Sequence, residues 1–295
     1  MTLVFRDYDL ASLELQYGSF ARQPELIAPR AVRDEKIALI NADVLTQRPR
    51  LLDFVYGVHE RERLDYFPVA DDFAPLFVFF HGGYWKTRDK DMFAYLAPTF
   101  LDAGINFAAV GYPYASDVHL GNTVEACRRA LHWLLGYPSG LRFDPTRVHV
   151  GGHSAGGHLA AMMMATDWRD YGLPKETIKS ATCISGLYDL EPLTICRQHR
   201  DLSISPDEVK SYSPIRLRPT NRDAELIITI GGSECTEFKR HTQELAQAWD
   251  KFGIGVTRPK APGRYHFDVL DELATTGRGL NRAVMAAIKR SARRR

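Results

Sequence analysis

The segment that decides the fold is Arg147–Thr166, RVHVGGHSAGGHLAAMMMAT. A short β-branched run leads straight into Gly152-His153-Ser154-Ala155-Gly156, and an Ala- and Met-rich helical stretch begins inside that pentapeptide. A chain that passes from strand to helix in one step must turn sharply. Glycines two before and two after the serine remove side chains that would collide in such a turn. The turn lifts the Ser154 hydroxyl above the sheet and aims the first amides of the new helix at the place where negative charge develops. Ser154 is therefore the candidate nucleophile, with Gly152 and Gly156 as its support. The competing reading is a Gly-rich helix start with an ordinary N-cap serine.

Upstream, Phe79-Phe80-His81-Gly82-Gly83-Tyr84-Trp85 places a double glycine directly after a short apolar run, Leu76–Phe80. A run of that length reads as a strand buried on both faces. Small residues after it let the backbone approach a substrate carbonyl, as in the HGG-type loops that supply oxyanion-hole amides in α/β-hydrolases. Donors are expected from Gly83 and Tyr84, together with the amide of Ala155 after the nucleophile. His81 and Gly82 complete the motif, with His81 read as a brace for the loop.

A serine nucleophile needs a base, and in this fold the order is serine, acid, histidine. That leaves His158, His199, His241 and His266. His158 lies one helical turn past the nucleophile and points away from it, His199 falls in irregular sequence and His241 lies inside a helix. His266, in the loop GRYHFDVL before the last helix, can swing over the serine, with His241 second. The acid should follow the strand Glu225–Ile230, which exits into GGSECTE; Glu234 lies in that loop. Glu237 reads as a first-turn helix carboxylate, and Asp189 in SGLYDL is the other contender. His149, His153 and His158 crowd the elbow without H-E-x-x-H or C-x-x-C, so no metal site is expected, nor any cofactor.

Around these motifs, strand-like and helix-like segments alternate from about residue 50, which indicates an α/β fold with a mainly parallel sheet. Leu51–Gly57 and Arg63–Val69 read as an antiparallel hairpin. Helices are expected over Met92–Ala103, Thr123–Leu135, Thr236–Lys251 and Val269–Ala287, and further strands over Asn106–Val110, Arg147–Val150, Lys179–Ser185, Glu225–Ile230 and Gly255–Pro259. Residues 186–223 form a Pro-, Ser- and Asp-rich insertion of the kind that builds lids and pocket walls. Residues 1–50, with a helical segment near Ala31–Leu45, read as an arm packed on the body. A boundary inside residues 76–266 would split the site, so 1–295 is read as one domain.

The composition adds exclusions. The 295 residues carry 38 Lys+Arg against 36 Asp+Glu, a formal charge of +2, with 45% hydrophobic residues. Such a balance excludes a disordered, collagen-like or disulfide-scaffold chain. No apolar run approaches the roughly 18 residues of a membrane span. Five positive charges sit in residues 289–295, KRSARRR; without them 33 basic face 36 acidic residues, a mildly acidic body. The tail reads as a solvated helix end, since no basic stripe elsewhere points to nucleic acid. Cys127, Cys183, Cys196 and Cys235 form no C-x-x-C pair, and the start MTLVFRDYDL lacks a signal layout; both suit a cytoplasmic protein with reduced thiols.

The combination of HGGYW, GGHSAGGHLAA, SGLYDLEPL, GGSECTEF and YHFDVLDEL resembles the kynurenine formamidase (arylformamidase) family of α/β-hydrolases, over roughly Leu76 to Leu273. The resemblance implies a Ser, Asp and His triad. Ser154 and His266 match it, while Glu234 stands where the family often has Asp, which is a departure. It further implies hydrolysis of an aryl formamide such as N-formylkynurenine, with formate as product. Tyr84, Trp85 and Tyr188 offer flat walls for an aromatic ring, or equally core packing. The expected partner is thus a small acyl amide or ester, an aromatic one, with no membrane and a homodimer left open. A carboxylesterase or thioesterase is the alternative, since the same acyl-enzyme serves esters, and a non-catalytic ligand receptor is the rival from another class.

Overall fold

The computed structural model describes residues 2–18, 24–136 and 140–292, without the side chains of residues 24–29. In chain order the strands are β1 (Leu51–Val55), β2 (Arg63–Phe67), β3 (Leu76–Phe80), β4 (Asn106–Val110), β5 (Val148–His153), β6 (Ile178–Ile184), β7 (Glu225–Thr229) and β8 (Gly255–Thr257). Among the described residues they form one eight-stranded sheet in the order β1-β2-β4-β3-β5-β6-β7-β8. β1 pairs antiparallel with β2, and β2 with β4; every other pairing is parallel. Helices flank the sheet, which makes the chain an α/β-hydrolase fold.

Side-chain alternation divides the core. Leu76, Val78 and Phe80 of β3 join one apolar cluster, and Phe77 and Phe79 join the other, because successive strand residues face opposite sides. The first cluster takes in the helix Ala155–Ala165, whose residues Leu159 to Met163 are almost wholly buried. A helix without a polar face must be enclosed, and this one is packed between the sheet and the amphipathic helix Leu120–Gly136, while the amphipathic helix Thr236–Asp250 packs on β7 and β8.

Three segments depart from the sequence expectations. Met92–Ala103 is a 3-10 turn, Lys90–Leu96, continued by a helix, Ala97–Leu101. Pro98 stands at the start of that helix, where its missing N–H costs nothing. Val269–Ala287 is interrupted: a 3-10 turn (Asp268–Leu270) and a short helix (Asp271–Ala274) end before Gly277, at φ +83°, and a new helix runs Gly279–Ser291. The apolar pattern continues across the break, so periodicity alone missed it. Within residues 1–50 a helix not expected from the sequence spans Leu10–Tyr17, and Asp9 caps it by accepting from the Ser12 amide at 2.9 Å. A second helix spans Pro24–Gln47. Residues 186–223 contain two short helices, Glu191–Ile195 and Pro206–Tyr212, and 3-10 turns. Of the basic tail, residues 293–295 lie outside the described residues. No described helix is long and apolar enough to cross a membrane.

The point that positions the site is where β5 ends beside β3. Ser154 takes φ 57° and ψ −121°, a region that costs an ordinary residue about 1–3 kcal/mol. Its amide donates to the Ile184 carbonyl of β6 at 2.9 Å, which locks the turn. A Cβ at Gly156 would sit 1.9 Å from the Phe80 carbonyl oxygen, and one at Gly152 would sit 2.1 Å from the Gly156 carbonyl oxygen. Both neighbours are backbone, so neither can rotate away. Replacing Gly156 with Ala is therefore expected to destabilise the fold by about 3 kcal/mol or more, measured by urea unfolding. A loss under about 1 kcal/mol would show that the strand end can yield.

Candidate active site

Ser154 and His266 lie on the wall of one cavity of about 220 Å³, together with Gly82, Gly83 and Tyr84. His266 Nδ1 is 2.7 Å from Glu234 Oε2. The other oxygen of Glu234 accepts from the Gly231 amide at 2.9 Å and from the Ser185 hydroxyl. Glu234 is buried, and donors engage both oxygens, so the carboxylate is fixed in place and satisfied as a buried charge must be. With the carboxylate accepting, His266 carries its proton on Nδ1 and leaves Nε2 as the basic nitrogen. Behind it, the His153 ring packs 4.6 Å from the His266 ring, and His153 Nε2 donates to the His266 carbonyl at 2.6 Å. Phe238 meets His266 edge-on at 5.0 Å.

The other acids are committed elsewhere. Asp189 binds Arg240 at 3.2 Å, and Glu237 binds Arg240 and the Tyr17 hydroxyl, each at 2.7 Å. His241 is held in the same network by Tyr17 at 2.8 Å and by the Tyr188 amide at 2.8 Å. The histidines near the elbow also have separate partners. His149 meets Ser180, and His158 accepts from the Trp85 indole at 3.2 Å and donates to the Tyr212 carbonyl at 2.7 Å. His199 contacts the Tyr17 carbonyl at 3.2 Å.

The loop after β3 is strained over three consecutive residues, Gly83 at φ +121°, Tyr84 at +50° and Trp85 at +53°. No backbone carbonyl among the described residues accepts from the amides of Gly83, Tyr84 or Ala155. Side chains hold the strain. The Trp85 indole is pinned to His158 on the elbow helix, the Tyr84 hydroxyl donates to the Tyr17 carbonyl at 2.9 Å, and the Tyr112 hydroxyl donates to the His81 carbonyl at 2.6 Å. His81 itself bonds the Gly82 carbonyl at 2.8 Å and stacks on Tyr112 at 4.1 Å. Trp85 and Tyr188 are both fully buried in the core, and neither is on the cavity wall. The reading of these two rings as substrate walls is corrected: Trp85 braces the loop, and the Tyr188 hydroxyl accepts from the Gly186 amide. Of the three predicted aromatic residues only Tyr84 lines the cavity, and Phe267 lines it as well, joined there by Arg30 and Arg88. Sequence reasoning passed over Phe267, Arg30 and Arg88, and over Ser185 and His153. Only Phe267, next to His266, carried a positional hint.

With this geometry in hand, the relatives can be compared. The family model BD-FAE matches residues 66–193. The chain is 29% identical to the kynurenine formamidase of Danio rerio, covering 95% of this chain and 96% of that one. It is 27% identical to that of Salmo salar, over 91% and 93%. The chain is similar to kynurenine formamidases over nearly its whole length, and its fold is that of an α/β-hydrolase. Among solved structures, a proposed thioesterase from Silicibacter sp. superposes with a TM-score of 0.75 at 25% identity, covering 94% of this chain and 98% of that one. Esterase B of Lactobacillus rhamnosis gives 0.71 at 15% identity, over 96% of each chain, a likeness of fold.

Burial keeps several of these histidines neutral. It pushes His81 and His149 down to about 3, and His158 to about 4. His153 is driven well below the ordinary range by burial and by the neighbouring His266 and Arg88. The unfolded chain takes up protons near pH 6.5 that the folded chain refuses. Stability is therefore full above pH 6.5 and is lost as pH falls toward 4. Urea unfolding is expected to give a free energy lower by several kcal/mol at pH 5 than at pH 7.5, about 1.4 kcal/mol per pH unit for each fully refused proton. A flat profile across that window would contradict the buried neutral assignment.

Proposed function

We propose that this hydrolase is an arylformamidase working through Ser154, His266 and Glu234. The observation that carries the reading is the bond between His266 Nδ1 and Glu234 on the wall of a small cavity that also holds Ser154. The full-length relation to kynurenine formamidases supports the formamide. His266 Nε2 takes the Ser154 proton as the oxygen attacks the substrate carbonyl. The oxyanion is taken by the amides of Gly83, Tyr84 and Ala155, each worth about 2.7–4 kcal/mol in comparable sites. His266 then gives its proton to the leaving aryl amine, and the formyl group stays on Ser154. Water, deprotonated by His266, attacks the formyl ester and releases formate. Glu234 holds the imidazole in the required tautomer and stabilises the imidazolium. No step calls for a metal or an organic cofactor.

A formyl group asks for almost no acyl pocket, which suits a cavity of about 220 Å³. The second reading is a carboxylesterase or thioesterase for short acyl groups, favoured by the esterase fold relatives. Comparison of kcat/KM on N-formylkynurenine and on short p-nitrophenyl esters decides between them. A clear preference for the formamide is expected; a preference for the ester would replace the first reading with the second.

The roles have their own tests. Ser154→Ala should lower turnover by roughly 10⁴-fold or more and abolish fluorophosphonate labelling. Retained labelling would remove Ser154 from the mechanism, and an intact protein that never labels would favour a receptor. Among Glu234→Gln, Asp189→Asn and Glu237→Gln, only the first should lower kcat by about 10³–10⁴-fold. Equal, small effects would break the acid assignment.

A further inference from the structure

The cavity wall around Ser154 and His266 carries three cations, Arg30, Lys86 and Arg88, and no carboxylate. Two of the three have acids of their own. Lys86 is bound by Asp201 at 2.7 Å, and Arg30 pairs with the half-exposed Asp34 at 3.4 Å. Arg88 differs. The acids nearest to it in sequence, Asp89 and Asp91, bind Arg61 and Lys90, and no carboxylate among the described residues pairs with its guanidinium. It lies instead 5.3 Å from the centre of the Phe267 ring, while Arg30 lies 4.1 Å from the same ring.

Two guanidinium groups thus approach one aromatic ring beside the candidate nucleophile; like charges so placed repel, and the half-exposed Asp34 offsets only part of that repulsion. Burial and the nearby Arg30 oppose the charge on Arg88 more than Asp34 and Tyr95 support it, yet a guanidinium does not deprotonate in a protein. The position is also conformationally expensive. Arg88 has φ +74°, and its carbonyl is tied by Arg61 and the Tyr114 hydroxyl, each at 2.7 Å. The backbone is fixed, so the side chain is delivered to the cavity by a rigid support.

We infer that Arg88, with Arg30 beside it, is the residue that selects substrates bearing a carboxylate away from the scissile bond. The guanidinium fork matches a carboxylate bidentately, while Phe267 offers a flat apolar surface for the ring between carboxylate and acyl group. Since a formyl group is a single carbon, the carboxylate lies on the leaving-amine side. On the function proposed above, that carboxylate is the one on the amino-acid portion of an N-formylkynurenine-type substrate, and Arg88 is the residue that reads it. That assignment rests on the formamidase reading, whereas the selection of an anion by Arg88 does not.

Two matched pairs separate the two. The first is N-formylkynurenine and its methyl ester, followed by formamide cleavage. The second is a phenyl acetate with and without a ring-borne carboxylate chain. The wild-type protein should prefer the anionic member by about 10- to 100-fold in kcat/KM, mostly through KM, as a charge-assisted bidentate contact provides. Arg88→Gln should erase that preference, and Arg88→Lys should restore part of it. A wild-type protein indifferent to the carboxylate in both pairs overturns the inference without any variant. So does an Arg88→Gln protein that loses both members of a pair equally, which marks a structural role. If the formamides are inert while the ester pair shows the Arg88-dependent preference, the formamidase reading fails and the anion site stands.

Discussion

The arrangement depends on one close approach, backbone against backbone, between the end of the central strand and the first turn of the helix after Ser154. Gly156 lies so near the Phe80 carbonyl that no side chain fits between them. This contact sets the distance between two otherwise independent loops, one carrying the serine and one carrying the double glycine. Parallel pairing of β3 with β5, Phe80 opposite Gly152, brings both loops to the same edge of the sheet. The strands β6 and β7 then bring Ser185 and Glu234 to that edge as well. Ligand sites at the carboxyl ends of parallel strands follow from this geometry.

Strain concentrates at the same place. Ser154, Gly83, Tyr84, Trp85, Ser185 and Arg88 all have positive φ, and each is fixed by contacts made elsewhere in the fold. The aromatic residues after the double glycine are part of that support. Trp85 reaches the elbow helix through His158, so the two loops are joined by a side-chain bond as well as by backbone contact. On the function proposed above, bracing of this kind keeps amide groups aimed before a substrate arrives, which is what electrostatic stabilisation of a developing oxyanion requires.

Much of this was legible in the chain because strong local rules govern it. The β3 run, the elbow and the strand at 225–229 are each short apolar-rich runs with glycine within two residues of their end, a length and punctuation that mark buried strands. The loops holding Glu234 and His266 could be found by order alone. What stayed hidden is what depends on long-range packing. Nothing local in HGGYW says that Trp85 turns inward to His158 while Phe267, far along the chain, faces the cavity. Nor does TRDKD reveal that Asp89 and Asp91 spend their charges on Arg61 and Lys90 and leave Arg88 alone. The break at Gly277 was missed for the opposite reason, since a helical pattern can continue across a turn that only the backbone shows.

The helix Leu10–Tyr17 ends in a carbonyl that receives both the Tyr84 hydroxyl and His199, while the Tyr17 ring itself closes the Glu237 and His241 network. The first turns of the chain therefore act as a keystone for a centre whose chemistry is encoded more than sixty residues later. During synthesis this helix finds its full seat only after residues as far along as His241 have been made. A proteolytic nick that removed it would leave the sheet standing but the arch above the serine unsupported. Ageing of this protein would then register as fading turnover well before any loss of secondary structure.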